Sequence, residues 1–157
     1  MTVSEFLDIV RFRIDDKLKV AYSDGDLMQF MNDAITFLNT ELIAIKDPIM
    51  VKEMSITGSK LVPSDFVRFA GKHAVYIADN TIKLINDGDS IDSCLYFAYK
   101  PRVASLTDVV PFGDIELPIL VQLTCIYALN KNEYSTEQDE RLCDKLREVV
   151  RIAKGGN

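Results

Sequence analysis

The hydrophobic positions of this chain follow a helical period at both ends and a shorter, alternating period in the middle. Near the N-terminus, apolar residues recur every three or four positions, and Thr2 and Glu5 have the spacing of a capping box. This pattern predicts a first helix over about 2–19. Its apolar stripe consists of Val3, Phe6, Leu7, Val10, Ile14 and Leu18.

A second stripe follows Ser23 and Asp26, which have the spacing of an N-cap pair. It predicts a helix over about 24–46. The helix is expected to end near Lys46, because the residue before Pro48 is biased toward an extended conformation. The stripe consists of Leu27, Phe30, Met31, Ala34, Ile35, Leu38 and Leu42.

Two more helices are predicted on the C-terminal side, over about 115–132 and 137–154. The first has Pro118 in its first turn and is apolar on almost every side, which is typical of a central helix. The second begins with acidic residues and ends with basic ones, a distribution that complements the helix dipole. Its stripe consists of Leu142, Leu146, Val149, Val150 and Ala153.

The middle of the chain, about 49–99, is rich in β-branched and aromatic residues between turn signals. Asp79 and Asn80 stand where a two-residue hairpin turn is expected. Strands are predicted over about 49–56, 74–78, 81–85 and 94–99, the last one closing an antiparallel meander.

Residues 61–68 are predicted to contain a short helical turn. Pro63 precedes Ser64 and Asp65, either of which is suited to start such a turn, with Phe66 and Phe69 anchoring it inward.

Two features of the middle region leave alternatives open. In the last strand, Leu95, Phe97 and Tyr99 alternate with Cys94, Tyr96 and Ala98, so both faces are apolar or aromatic. Either the chain's own helices or a partner chain covers the second face.

Residues 100–114 have little periodicity, and they are either a contact loop or a passive crossover.

Together these patterns predict an α+β fold that is mainly α. The whole chain, 1–157, is expected to be a single domain: a four-helix bundle, two N-terminal and two C-terminal helices, with a small antiparallel β-sheet insertion in the middle.

Composition narrows the class of protein. The net charge of −6 is spread along the chain, and no basic block is present to grip phosphates, so tight nucleic-acid binding is not expected. Neither a secretion signal nor an apolar run of bilayer length is recognisable, which predicts folding in a cytoplasm. Cys94, Cys125 and Cys143 lie far apart within apolar patterns, as expected of reduced thiols in a core.

Candidate chemistry is sparse. His73 is the single histidine, and it is predicted to be a surface or loop residue without a nucleophile elbow nearby. Asp87, Asp89 and Asp92 offer oxygen ligands, but they lack the pattern of an EF-hand and favour a solvated turn. A solvated turn is also predicted for a second acidic group, Asp15, Asp16, Asp24 and Asp26. We therefore expect no enzyme, catalytic residue, cofactor or metal site.

Six short segments stand out along the chain: YSDGDL at 22–27, FMNDA at 30–34, LVPSDFVR at 61–68, YKPR at 99–102, SLTD at 105–108 and ALNKNE at 128–133. In this order and spacing, they resemble segments of the head-tail adaptor (connector) proteins of tailed bacteriophages. The resemblance extends over nearly the whole chain.

This resemblance implies a structural virion protein, made in the host cytoplasm, that forms a ring of twelve copies between the portal protein and other neck or tail proteins. Packaged DNA would pass through the ring without specific binding, and no membrane would be involved. Residues of the last helix would then dock on the portal. They are Leu142, Leu146, Arg147, Val150 and Arg151.

Three other functions remain open on the sequence. A stopper or tail-completion neck protein is the nearest rival, although such proteins tend to be mainly β. A small protein-binding regulatory module would act as a monomer or dimer. A metal-dependent hydrolase would use Asp87, Asp89 and Asp92.

Overall fold

The computed structural model describes residues 1–86, 88–130 and 136–155. It divides the chain into two compact units. The helical unit contains Met1–Leu42 together with Pro101–Asn157, and the β unit contains Ile43–Lys100. The β unit is thus one continuous stretch, whereas the helical unit is assembled from two separate stretches.

Four helices are present among the described residues: α1 Val3–Arg13, α2 Asp24–Ala44, α3 Leu117–Leu129 and α4 Thr136–Ala153. The predicted capping box at the start of α1 is confirmed. Glu5 N–H donates to Thr2 Oγ1 and Thr2 N–H donates to Glu5 Oε2, and this second bond lowers the pKa of Glu5. Ser23 and Asp26 likewise exchange hydrogen bonds at the start of α2.

The first helix ends at Arg13, well before the predicted end at residue 19. Asp15 adopts a left-handed conformation with φ of 59°, which breaks the helical path. Leu18 therefore leaves the apolar stripe to which the sequence assigned it, and it is 87% exposed.

The third helix is central to the helical unit, as its apolar surface predicts. Leu120 and Leu123 are fully buried, and α3 packs closely against α1 and against α4. Buried residues occupy most positions of the helix: Ile119, Leu120, Val121, Leu123, Thr124, Cys125, Ile126 and Ala128.

The β unit contains two three-stranded antiparallel sheets in its described residues. One sheet has the order β1, β6, β3 and the other has the order β2, β5, β4. A 3₁₀ turn, Pro48–Met50, leads into the first strand. The strands are β1 Val51–Thr57, β2 Ser59–Leu61, β3 Phe66–Phe69, β4 Val75–Ala78, β5 Thr81–Leu84 and β6 Ser90–Ala98.

Residues from both sheets form one hydrophobic core. Met54 and Ile56 come from β1, and Ile82 and Leu84 come from β5. Cys94, Tyr96 and Ala98 of β6 complete it. This face of β6 is therefore covered by the unit's second sheet, an arrangement that the sequence pattern did not predict.

Residues 79 and 80 form the predicted hairpin turn. Both have left-handed backbones, with φ of 49° at Asp79 and 56° at Asn80, as a type I′ turn requires. The turn predicted to start at Ser64 or Asp65 is present and is closed by a 3.0 Å hydrogen bond from Phe66 N–H to Pro63 O, but it does not continue as a helix. Phe66–Phe69 is strand β3, because its backbone pairs with β6.

The predicted fold class is also wrong, although the mixture of α and β is present. Closest helix packing joins α3 to α1 and α3 to α4, which is not a four-helix bundle. The strands form two sheets in place of one small insertion, and about 43% of the structure is helix and 23% strand. The physical reason is that the β region buries a core of its own and needs no helix to cover that core.

Candidate functional surface

The five residues predicted to dock on a partner differ in how far they are available. Leu146 and Val150 are fully or almost fully buried, so they pack within the chain. Leu142 is half-buried, and Arg147 and Arg151 are exposed. Only part of this set therefore lies on the surface.

Two ion pairs hold α4 in the helical unit. Arg147 Nε lies 3.5 Å from Glu41 Oε1, and Lys154 Nζ lies 2.7 Å from Glu116 Oε1. The second pair is largely buried, with side-chain exposures of 13% for Lys154 and 5% for Glu116. Arg147 also contacts Asp144 at 3.3 Å. One of the predicted docking residues thus serves an internal contact, and α4 is fixed at two points along its length.

Residues 101–114 are held against the N-terminal part of the helical unit by hydrogen bonds and an ion pair. Asn32 and Val103 exchange two hydrogen bonds, one from the Asn32 side-chain amide to Val103 O and one from Val103 N–H to Asn32 Oδ1, each 2.9 Å long. Arg102 forms an ion pair with Asp33 at 3.2 Å. Val3 N–H donates to Asp108 O, and Thr2 forms a bridge with Val109.

Asp108 closes a turn inside this segment. Its carboxylate accepts from Ala104 N–H at 2.7 Å and from Ser105 N–H at 3.0 Å, and also from the Ser105 hydroxyl. These bonds, led by the one from Ala104, lower the pKa of Asp108. The segment is a structured strap across the helical unit, and a contact role for its outer side stays a prediction.

The α1–α2 connection is built around a buried guanidinium. Arg11 is 2% exposed, with Nη1 at 2.5 Å from Asp16 Oδ2 and Nη2 at 2.7 Å from Asp24 Oδ1. The prediction of a solvated acidic turn is wrong for Asp16, which is 5% exposed. Val20 and Ala21 N–H groups also donate to Asp16, and the Ala21 bond is the main cause of its lowered pKa. The sequence signal, Arg11 five residues before an Asp, was too weak to detect.

Two of the three thiols, those of Cys94 and Cys125, are buried, and the histidine contacts a backbone amide. Burial raises the pKa of Cys94 and Cys125, and it raises the pKa of Tyr127 to about 12, so all three stay protonated near neutral pH. His73 Nε2 accepts a hydrogen bond from Leu95 N–H at 3.2 Å. Its role is to support strand β6.

The acidic group predicted near the last strand falls partly outside the described residues. Asp87 lies outside the described residues, so the proposed Asp87, Asp89 and Asp92 group is not placed. In residues 1–86, 88–130 and 136–155, no three His, Cys, Asp or Glu side chains are grouped as a metal site.

None of the helices described is sufficiently long and apolar to traverse a bilayer.

Large apolar side chains are exposed on both units. In the helical unit they include Phe12, Leu18, Val20, Val109, Ile115, Leu129 and Ile152. In the β unit they include Leu61, Tyr76, Ile77, Ile85, Leu95 and Tyr99. Strands β2 and β4 are the edges of one sheet, and β1 and β3 are the edges of the other. Edge strands, and apolar side chains that lie outside the core, are found at surfaces that contact other chains.

Comparison with known proteins does not place the chain in a family. No protein-family model matches the sequence, and no curated protein is significantly similar to it.

Proposed function

We propose that the chain is a structural subunit of the neck of a tailed bacteriophage, an adaptor that forms a ring between the portal protein and tail components. The observation that carries this proposal is the exposure of large apolar side chains on both units, from Leu18 and Val20 to Leu61 and Tyr76. A ring subunit would bury such residues against its neighbours.

The segments that resemble adaptor proteins have structural roles here, which supports the proposal. Tyr22, in the first of them, donates its hydroxyl to Ala128 O in the last, at 3.0 Å. Asp24 is paired with Arg11. These sequence markers join distant parts of the helical unit, as expected for a family defined by its scaffold and not by its chemistry.

The charge of the chain is compatible with a DNA channel that does not grip its contents. The net charge is −6, and specific or tight binding to phosphates depends on Lys and Arg contacts gathered on one surface. In this proposal the virion neck is the site of action, and the remaining exposed residues of α4, Arg147 and Arg151 among them, face the portal.

Assembly is the direct test. The purified protein would be examined by sedimentation velocity over a range of concentrations, alone and with rings of the portal protein encoded in the same genome. Negative-stain electron microscopy would then show whether the complexes contain a closed ring. Ring formation, alone or on the portal, is the expected result. A protein that stays monomeric and never joins the portal contradicts the proposal, and a discrete dimer favours a regulatory binding module.

A further inference from the structure

A small cavity in the β unit brings two cationic side chains together with two aromatic ones. Its volume is about 270 Å³. The lining residues are Lys46, Arg68, Phe69, Ala70, Gly71 and Phe97. Cationic groups beside aromatic walls are suited to hold an anion in partial isolation from water.

The guanidinium of Arg68 is held in place by its own unit. Its Nη2 donates to Ile43 O at 2.9 Å, and its central carbon lies 5.1 Å from the centroid of the Phe97 ring. Ile43 O uses one of the five N–H donors of the guanidinium. A fixed, planar group with spare donors is the form of cation that binds a carboxylate in two places at once.

Neither cation of the cavity has an acidic partner in the part of the chain that the structure describes. Arg11, Lys52 and Lys154 all lie within 4 Å of a carboxylate, but Arg68 and Lys46 do not. Lys46 is exposed and has a left-handed backbone with φ of 58°, just after the end of α2. The cavity therefore holds positive charge that the described residues leave unneutralised.

Charge is divided unevenly between the two units. Counted on the sequence, the helical unit has 11 Lys and Arg against 17 Asp and Glu, and the β unit has 7 against 7. The whole net charge of −6 thus belongs to the helical unit. Every copy of the chain has a cationic cavity on its neutral unit and an excess of carboxylates on the other.

We propose that the cavity around Arg68 and Lys46 receives an Asp or Glu carboxylate from the helical unit of a second copy. This inference rests on the proposed ring, because a ring needs two different complementary surfaces on each subunit so that contacts continue from copy to copy. A neighbouring copy supplies the carboxylate at high local concentration. It also covers the cavity, which removes water and strengthens the ion pair.

Charge reversal tests this inference. The variants are Lys46→Glu and Arg68→Glu, and the matched control is Lys72→Glu, which makes the same change at an exposed lysine of the same unit outside the cavity. Assembly would be measured by sedimentation velocity at low and high salt, with portal rings if wild-type assembly needs them. Thermal melts followed by circular dichroism would show which variants are folded. Lys46→Glu leaves the hydrogen bond from Arg68 to Ile43 O in place, so it tests the charge of the cavity even if Arg68→Glu fails to fold.

We expect wild-type assembly to weaken as the salt concentration rises. Both cavity variants are expected to raise the protein concentration at which half of the chains are assembled by about tenfold or more. For the control, this concentration is expected to stay within about twofold of the wild-type value. Cavity variants that assemble like the wild type overturn this inference and leave the ring intact. A wild-type protein that never assembles overturns both proposals. Loss of duplex DNA binding by the cavity variants, without loss of assembly, shows a phosphate site and also overturns the inference.

Discussion

Lys154 at the end of α4 donates to Glu116, the residue that precedes α3, across 2.7 Å. Both side chains are largely removed from solvent, at 13% and 5% exposure. An ion pair in such a poorly solvated place stabilises the fold more than a surface pair does, because the protein atoms replace contacts that water would otherwise make. The pair is therefore a clasp between the two C-terminal helices.

Replacing Glu116 with Ala is expected to destabilise the protein by about 3 kcal/mol, because the substitution removes a short ion pair that is largely shielded from water. Urea denaturation at neutral pH measures this change. Arg102→Met is the control, since the ion pair of Arg102 with Asp33 is exposed and its loss is expected to cost less than about 1 kcal/mol. Equal effects of the two substitutions would show that the clasp contributes no more than a surface pair.

Stability is expected to fall in acid through Asp16 and Asp108. Their pKa values are lowered in the folded protein below the ordinary value of 3.8, chiefly by the backbone N–H groups of Ala21 and Ala104. The unfolded chain therefore binds protons more readily, and the stabilisation is present above about pH 3.9 and lost as the pH falls through the folded values.

The variant Asp16→Asn tests this directly. It is expected to be less stable than the wild type at neutral pH and to approach it as the pH falls, because protonation of Asp16 removes the same charge. Denaturation midpoints measured at a series of pH values give the comparison. A difference that stays constant from neutral pH down to pH values below the ordinary pKa would contradict the role of this carboxylate.

The hairpin turn between β4 and β5 makes a separate prediction about the backbone. Asn80 has φ of 56°, a conformation that costs a β-branched residue roughly 1–2 kcal/mol. Asn80→Val is expected to lower the free energy of unfolding by about that amount, whereas Asn80→Gly keeps the turn at little cost. Matched chemical denaturation of the two variants is the measurement, and equal stabilities would argue against a type I′ turn.

His73 provides a test within the β unit. Its Nε2 accepts from Leu95 N–H, and its ring lies edge-on to Phe69 with centroids 6.0 Å apart. His73→Phe retains an aromatic ring but removes the acceptor, at an expected cost of about 1 kcal/mol. Hydrogen exchange followed by NMR should show faster exchange at the Leu95 amide. Unchanged exchange at that amide would mean that the histidine does not support β6.

Local signals predicted the elements where neighbouring residues decide the structure. Thr2 and Glu5 are three residues apart, and Asp79 and Asn80 are adjacent, so the chemistry that specifies the cap and the turn is contained in short segments. The central helix α3 was predicted for a similar reason, because an apolar surface on all sides of one helix requires neighbours all around it.

Features that depend on distant partners were missed. Residues 66–69 read as an inward-anchored turn because the strand β6 that pairs with them lies about thirty residues away. Helix α1 ends early, and beyond its end Asp16 pairs with Arg11 and accepts a hydrogen bond from Ala21 N–H. The hydrophobic period of the sequence carries no information about such contacts. The cavity near Arg68 was missed too, because residues 46, 68 and 97 are brought together only by the fold.

The continuity of the β unit has a consequence for the order of events during synthesis. All of Ile43–Lys100 emerges from the ribosome before α3 does, so the two sheets can close their core while the helical unit still lacks half of its partners. Helix α1, in contrast, must wait for α3, more than a hundred residues later, and for the strap that pairs with Thr2. The nascent chain thus exposes the apolar stripes of α1 and α2 longest, and these are the segments that a ribosome-associated chaperone would be expected to hold.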